Sequence, residues 1–390
     1  MDALKRQFAT QATPRAHRAR GVAPTLASGK RPGWRGWLRH SATVVILVLA
    51  LAVLTACGGA PKPENSANPP QLYIYNWEDY FAPTTLEDFG KEMGIEVFLD
   101  TFQNEDEMLA GLQSRPGHYD VVFVADYLVA ELVGRSLLEP LTLENIPNIK
   151  HVDSRFLDLS FDPGNKYSVP YVWGTTALAV NTAKIPENYD TWEVMWDPAY
   201  AGHIAMINDP QEVLGATLKL LGHSLNSRDP EHLAQAREKM LEQKPLLAGY
   251  MDSISIRDKL ITGEIWAAQV YNGEGVWAKS KNPDVVFLVP NEGAAIWQDN
   301  MAIPLGAPHK AEAQKFLNYI QRPEVAAANS SYLYYANTNV PALELTPPEI
   351  LQDPAVYPDK ASFERSEYYL ERTQEFNEWL NRMWSELTGP

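Results

Sequence analysis

Residues 72–80 read LYIYNWEDY, and this stretch indicates both a fold and a binding chemistry. Its apolar start predicts a buried strand, and its end sets two aromatic residues around two carboxylates: Trp77, Glu78, Asp79 and Tyr80. Strand ends in α/β proteins face the ligand crevice, and carboxylates between aromatic faces suit an organic cation. The stretch therefore predicts a strand that delivers a cation-binding group to a cleft. The alternative is an aromatic cap on the core followed by solvated turn residues.

Strands and helices alternate directly after this stretch. A capping box at Thr84 opens a helix that Gly94 ends, and 95–99 is the next predicted strand. Asn104 opens a second helix, and the apolar run 121–124 is typical of a strand covered on both faces. This βαβαβ order predicts an open, mostly parallel sheet.

A second α/β block follows, so the chain is expected to form two lobes with a cleft between them. Its predicted strands are 171–180 (interrupted at Gly174), 203–207, 265–270, 285–289 and 295–303. Its predicted helices are 210–221, 229–240, 310–320, 323–328 and 363–387.

The N-terminus has the pattern of a secretory signal. Nine Lys and Arg stand against one acid, Asp2, in the first forty residues, and the uncharged run 41–56 follows. That run is shorter than the about 20 apolar residues that span a bilayer. It ends in LTAC, which looks like a bacterial lipobox with Cys57 as the lipidated first residue. The alternative is an uncleaved signal anchor.

The charge balance of the exported chain excludes some partners. The whole chain carries a net charge of −16, and removing residues 1–56 leaves 24 basic against 48 acidic residues, or −24. Such a protein is a poor nucleic-acid binder and attracts cations. Residues 57–71 are rich in Gly, Pro, Asn and Ser and are expected to form a flexible tether.

Catalytic signatures are absent from the sequence. It contains no phosphate-binding loop, dinucleotide fingerprint, nucleophile elbow or HExxH motif. Cys57 is the single cysteine, which excludes disulfides within the chain and, at a lipidation site, thiol catalysis. We expect a binding protein without cofactor or metal; a lyase or transferase is the enzyme alternative.

Two later stretches repeat the opening chemistry. Asp209 and Glu212 follow the predicted strand 203–207, where a helix cap is the simple interpretation and a second contact with a ligand stays open. Trp297 and Asp299 share one face of a predicted strand, either in the cleft or packed in the core. Of the adjacent pair Tyr334 and Tyr335, one is expected to face the cleft and the other the core; ferric iron is the alternative ligand.

Together these stretches resemble the periplasmic spermidine/putrescine-binding proteins, the substrate-capturing subunits of polyamine ABC importers. The resemblance covers essentially all of 72–390. It is carried by LYIYNWEDY, YDVVFVADY (119–127), YSVPYVWGTTALAVN (167–181), NDPQEV (208–213), GAAIWQDNMAIP (293–304) and YYANTN (334–339).

The resemblance implies an α/β, two-lobed periplasmic-binding-protein fold of type II, with mixed sheets, crossover strands and an interlobe cleft. It implies one lobe from 72–172 and 299–343 and another from 173–298 and 344–390. Asp209, Glu212 and Asp299 match amine-binding carboxylates, with Asp79 expected at the opposite end of the slot. The other implied ligand-binding residues are Trp77, Glu78, Tyr80, Tyr127, Tyr271, Trp297, Tyr335 and Tyr369. The chain departs from the family pattern at Ala125, Tyr271 and Tyr369.

The expected function is capture of a polyamine, spermidine and/or putrescine, and its delivery to an ABC permease of the inner membrane. A monomer is expected, lipid-anchored through Cys57 in the periplasm or on the outer face of the cytoplasmic membrane. The alternatives are a binding protein for ferric iron or an oligosaccharide, and a sensor lipoprotein that kept the fold.

Overall fold

The computed structural model describes residues 69–389, so the predicted signal, Cys57 and most of the tether lie outside the described residues. The described part forms one mixed sheet with helices on both sides. Its strands are β1 (Gln71–Trp77), β2 (Glu96–Phe102), β3 (Val121–Ala125), β4 (Ser168–Asn181), β5 (Ile204–Ile207), β6 (Leu247–Met251), β7 (Ala267–Tyr271), β8 (Val285–Leu288), β9 (Ala295–Ala302), β10 (Ala336–Asn337) and β11 (Glu367–Tyr368).

Thirteen α-helices connect or cover these strands within residues 69–389. They are α1 (Thr85–Met93), α2 (Glu105–Ser114), α3 (Asp126–Gly134), α4 (Pro210–Leu220), α5 (Pro230–Gln243), α6 (Ser253–Thr262), α7 (Asn272–Lys281), α8 (Lys310–Ile320), α9 (Pro323–Leu333), α10 (Val340–Leu343), α11 (Pro348–Leu351), α12 (Lys360–Arg365) and α13 (Gln374–Thr388). None of these helices has both the length and the apolar character needed to cross a bilayer.

The strand order β2-β1-β3-β9-β4-β7-β5-β6 builds the two lobes from one continuous sheet. β1 pairs in parallel with β2 and β3, and β5 pairs in parallel with β6 and β7. The long strand β4 connects these halves, because residues 168–176 pair with β9 whereas residues 176–181 pair with β7 and β8. Every residue of β4 and β9 is buried, which fixes both crossover strands firmly.

The apolar core is divided in the same way. One cluster surrounds the second half of β4 and includes Trp192 and Met206. Two further clusters cover the two faces of β1 and β3, around Phe123 and Phe316 on one face and around Tyr75 and Tyr119 on the other. The strand ends that border the cleft are therefore held by separately packed apolar clusters.

The structure corrects three predictions about local elements. Thr84 precedes α1 but accepts no side-chain capping bond, because its φ of −106° and ψ of −4° are not extended, so the capping box is wrong. β4 runs through Gly174 without interruption. Residues 363–387 are not one helix, since β11 pairs in parallel with β9 and divides α12 from α13.

Candidate functional site

A cavity of about 610 Å³ lies in the interlobe cleft, where β1, β5 and β7 end and β9 passes. Its lining is acidic and aromatic. The lining carboxylates are Glu78, Glu105, Asp209, Glu212, Asp252, Glu274 and Asp299. The lining aromatic residues are Trp77, Tyr80, Phe102, Tyr127, Tyr250, Tyr271, Trp297 and Tyr335, and one lysine, Lys259, is the single cationic residue of the lining.

Asp299 and Tyr80 form the first acidic feature of the cavity, here named the strand group. Asp299 lies opposite Ala125 in the antiparallel pairing of β3 with β9, so the small alanine leaves the carboxylate open to the cavity. The Tyr80 hydroxyl donates a hydrogen bond to Asp299. Burial raises the pKa of Asp299 to about 6, although the bond from Tyr80 acts in the opposite direction.

An aromatic wall adjoins the strand group. Trp297 lies two residues before Asp299 on β9 and meets Tyr335 edge-on, with ring centroids 4.7 Å apart, and Tyr271 at 5.9 Å. Gly174 faces Trp297 across the β4–β9 pairing, and a Cβ there would lie 2.5 Å from the indole ring. The missing side chain at Gly174 therefore lets the indole ring lie where it lines the cavity.

Three carboxylates form the second acidic feature, here named the helix group: Glu105, Asp209 and Glu212. Asp209 caps α4 through one oxygen, which accepts from the backbone N–H of Gln211 and Glu212 at 2.8 and 3.1 Å. Among the described residues its other oxygen accepts no hydrogen bond. Both the predicted cap and an available oxygen are therefore present in the same residue.

Glu212 is held from both sides by protein hydroxyls. It accepts hydrogen bonds from Thr176 at 2.8 Å and from Tyr369 at 3.0 Å, while its carboxyl borders the cavity. Burial raises its pKa to about 8, with the neighbouring Asp209 adding to the rise. The protonated form of Glu212 is therefore favoured near neutral pH.

Glu105 was missed by the sequence reasoning, which assigned this stretch to a helix start. It directly follows the N-cap Asn104, accepts a hydrogen bond from Tyr127, and borders the cavity. Burial raises its pKa to about 8, with Asp209 adding to the rise and Arg372 opposing it. The available signal was its position, since Asp209 and Glu212 also stand where a strand ends and a helix begins.

One further carboxylate of the cavity, that of Glu274, is paired with a protein cation. Glu274, at the start of α7, lines the cavity and pairs with Arg257 on α6 at 3.1 Å. Burial raises the pKa of Glu274, whereas Arg257 lowers it. Because this carboxylate has a protein cation, it has less to offer an incoming ligand than the strand and helix groups have.

Ten of the twelve predicted ligand-binding residues line the cavity, and two do not. Asp79 is exposed in the turn after β1 with a φ of 55°, whereas its neighbour Glu78 borders the cavity and accepts from Gln103 at 2.6 Å. This placement reverses the predicted ranking of the two acids. Tyr369 is buried behind Glu212 and positions it. Tyr334, unlike Tyr335, does not line the cavity.

Within residues 69–389, no group of three or more His, Cys, Asp and Glu side chains has an arrangement that could hold a metal ion. In the helix group, Glu105 accepts a hydrogen bond from Tyr127, and Glu212 accepts from Thr176 and Tyr369.

A two-lobed α/β fold with an acidic, aromatic cleft between the lobes defines a solute-binding protein. The family model described as bacterial extracellular solute-binding protein matches residues 84–358, and the chain belongs to this family. This membership confirms the prediction of a binding protein rather than an enzyme, and the fold confirms the expected two-lobed class.

Relatives in this family include proteins named for polyamines. The spermidine/putrescine-binding periplasmic protein of Salmonella typhimurium is 32% identical over 334 residues, which are 85% of this chain and 93% of the relative. A solved structure of a putative spermidine/putrescine ABC transporter from Listeria monocytogenes is 35% identical with a TM-score of 0.78, covering 82% of this chain and 99% of that one. A spermidine/putrescine substrate-binding protein from Streptococcus pneumoniae is 31% identical with a TM-score of 0.72, covering 82% and 98%.

Proposed function

We propose that this chain binds linear polyamines, spermidine and/or putrescine, in the interlobe cavity and delivers them to an ABC permease. The observation that carries the proposal is the convergence of the strand group and the helix group on one cavity with aromatic walls. Relatives that are 30% or more identical over most of the chain carry polyamine names, which supports the same ligand class.

The chemistry of a polyamine matches this lining. Each ammonium needs an anionic or carbonyl acceptor, because an unpaired buried charge is very costly. Asp299 supplies one acceptor, and Asp209 with Glu212 supplies another. The methylenes between the nitrogens pack on Trp297 and Trp77, and aromatic faces near an ammonium add about 0.5–2 kcal/mol each.

Closure of the lobes over the cation is the proposed mechanism of capture. The lobe division that we propose is 72–172 with 299–343 against 173–298 with 344–390. The separate apolar clusters around Phe123 and around Met206 support such a division. Ligand contacts that bridge the lobes exist only in the closed form, and this gives the difference in affinity that closure requires. The closed form then docks on the permease.

We also propose that the mature protein is a monomer anchored by lipid on Cys57, in the periplasm or on the outer face of the cytoplasmic membrane. The lipobox-like LTAC after an apolar run supports this anchor. A Cys57→Ala variant is expected to lose incorporation of labelled palmitate and to leave the membrane fraction. Retention of the label in that variant would contradict the anchor.

Titration calorimetry of the purified protein tests the ligand class. We expect heat from binding of putrescine or spermidine, and none with ferric citrate or a neutral oligosaccharide. Silence with putrescine, spermidine and spermine would contradict the proposal and favour a sensor lipoprotein. Binding of ferric citrate with tyrosinate absorption would favour an iron carrier.

A further inference from the structure

A half-buried arginine lies in the second layer of the cavity, next to the helix group. Arg372 lies in the segment between β11 and α13, and its guanidinium carbon is 5.1 Å from the ring centroid of Tyr127. Tyr127 itself lines the cavity, and its hydroxyl donates a hydrogen bond to Glu105. The order from outside to inside is therefore guanidinium, phenol, carboxylate, cavity.

The charge of Arg372 is not taken up elsewhere in the described part of the chain. Within residues 69–389 it forms no ion pair at 4.0 Å or less, and its buried Nε has no hydrogen-bond partner. Three carboxylates, Glu105, Asp209 and Glu131, act on the Arg372 guanidinium, and the first two belong to the helix group. Opposite charges at partly buried positions interact over several ångströms because little water screens them.

The helix group thus carries less net negative charge than its three carboxylates alone would give it. Glu274 is matched in the same way by Arg257 at 3.1 Å. The strand group has no arginine or lysine partner among the described residues, and Asp299 keeps its charge for a ligand. A linear amine therefore meets one uncompensated acidic group and one compensated group.

Resting on the proposed function, we propose that Arg372 is a specificity-determining residue: its guanidinium, held over Tyr127 behind Glu105, favours amines with two charges over amines with three or four. A diamine satisfies both groups with two nitrogens. A third ammonium near the helix group meets the repulsion of the guanidinium. Removing Arg372 takes one positive charge away from the surroundings of the helix group, which lowers the repulsion of a third ammonium there.

Calorimetric titration of the full-length protein, purified in detergent, with putrescine and spermidine at fixed ionic strength tests this inference. In Arg372→Met we expect the affinity for spermidine relative to putrescine to rise about tenfold, the size expected for one unit charge at partly buried positions. Arg372→Lys, which keeps the charge, is expected to stay near the unmodified ratio.

Arg322→Met is the matched control, because this guanidinium also lies over a tyrosine ring, Tyr319, at 4.8 Å and has no cavity-lining residue among its electrostatic neighbours. An unchanged ratio in Arg372→Met, or an equal change in Arg322→Met, would overturn the inference. Equal loss of both ligands in Arg372→Met would also overturn it, since that outcome makes the arginine only a support for Tyr127. Failure of every amine to bind the unmodified protein would instead overturn the proposed function.

Discussion

The strand group and the helix group both present carboxylates to the cavity, but the pKa values of these carboxylates differ. Asp299 is a single acid on a fully buried strand with one phenol donor, Tyr80, and its pKa rises only to about 6. Glu105 and Glu212 stand near Asp209, and the pKa of each rises to about 8. Near neutral pH, Asp299 is therefore ionised more readily than Glu105 and Glu212 are. Asp299 is thus a fixed anion, whereas Glu105 and Glu212 gain their charge when a cation arrives.

Removing the fixed anion is expected to have the largest effect. Asp299→Asn leaves the shape of the site but takes away the carboxylate that pairs with an ammonium. We expect a loss of about 100-fold in putrescine affinity, since breaking one partner of a buried charge pair costs about 2–5 kcal/mol. Calorimetry measures it, with the exposed Asp284→Asn as control. Equal affinities of the two variants would mean that the strand group is not a ligand anchor.

Filling the space beside the aromatic wall is expected to have the next largest effect. In Gly174→Ala the new Cβ would lie 2.5 Å from Trp297 and 2.2 Å from Asn272, so the indole must move. We expect about 30-fold weaker binding, as overpacking costs about 1–3 kcal/mol. Gly134→Ala is the control, because a Cβ there meets no atom within 4 Å. Unchanged affinity in Gly174→Ala would mean that the position of the Trp297 indole does not contribute to binding.

The pH dependence of stability and binding distinguishes the strand group from the helix group without mutation. The pKa values of about 6 for Asp299 and about 8 for Glu105 and Glu212 lie above those of unfolded chains, near 4. These groups therefore stabilise the empty protein fully below about pH 4, and this contribution is lost as the pH rises through about 6 to 8. Cation binding needs the ionised forms, so affinity changes in the opposite direction.

The expected result is a putrescine-induced rise in unfolding temperature that grows between pH 5.5 and pH 8.5, with affinity increasing about tenfold over this range. Thermal unfolding with and without putrescine measures it. The increase should be smaller in Glu105→Gln, which has no proton to release at that position. A rise in unfolding temperature that is constant with pH would mean that the helix group is ionised before the ligand arrives.

The smallest effect is expected from the residue behind Glu212. Tyr369→Phe removes the hydroxyl that donates to this carboxylate at 3.0 Å, which makes its ionised form less favourable. We expect about fivefold weaker binding at pH 7, in line with the loss of one hydrogen bond of about 1 kcal/mol. Tyr368→Phe is the neighbouring control, and an equal effect there would show that Tyr369 acts only through packing.

The sequence was sufficient for the residues whose position follows from a regular element. Asp209 and Glu212 begin a helix after a strand, and Trp297 and Asp299 alternate on one strand, so periodicity brings each pair to the cavity. It failed where the regular period stops. After β1 the backbone turns through Asp79 at a positive φ, and adjacent acids in a turn give no sign of which one faces inward.

Pairing between strands that are far apart in the sequence was the other feature that the sequence did not predict. The segment around Tyr369 and Arg372 has helical periodicity, yet β11 pairs with β9, which is far away in the sequence. That pairing brings Tyr369 to Glu212 and Arg372 to Tyr127, and no local pattern contains either contact. Glu105 was likewise visible as a helix start but not as the partner of Tyr127.

A crystal structure of the putrescine complex tests the central claim most directly. We predict one nitrogen at about 3 Å from the Asp299 carboxylate and the other at the same distance from a carboxylate of the helix group, with the methylenes against Trp297. A diamine bound outside the cavity, or one with both nitrogens away from Asp299, would contradict the account.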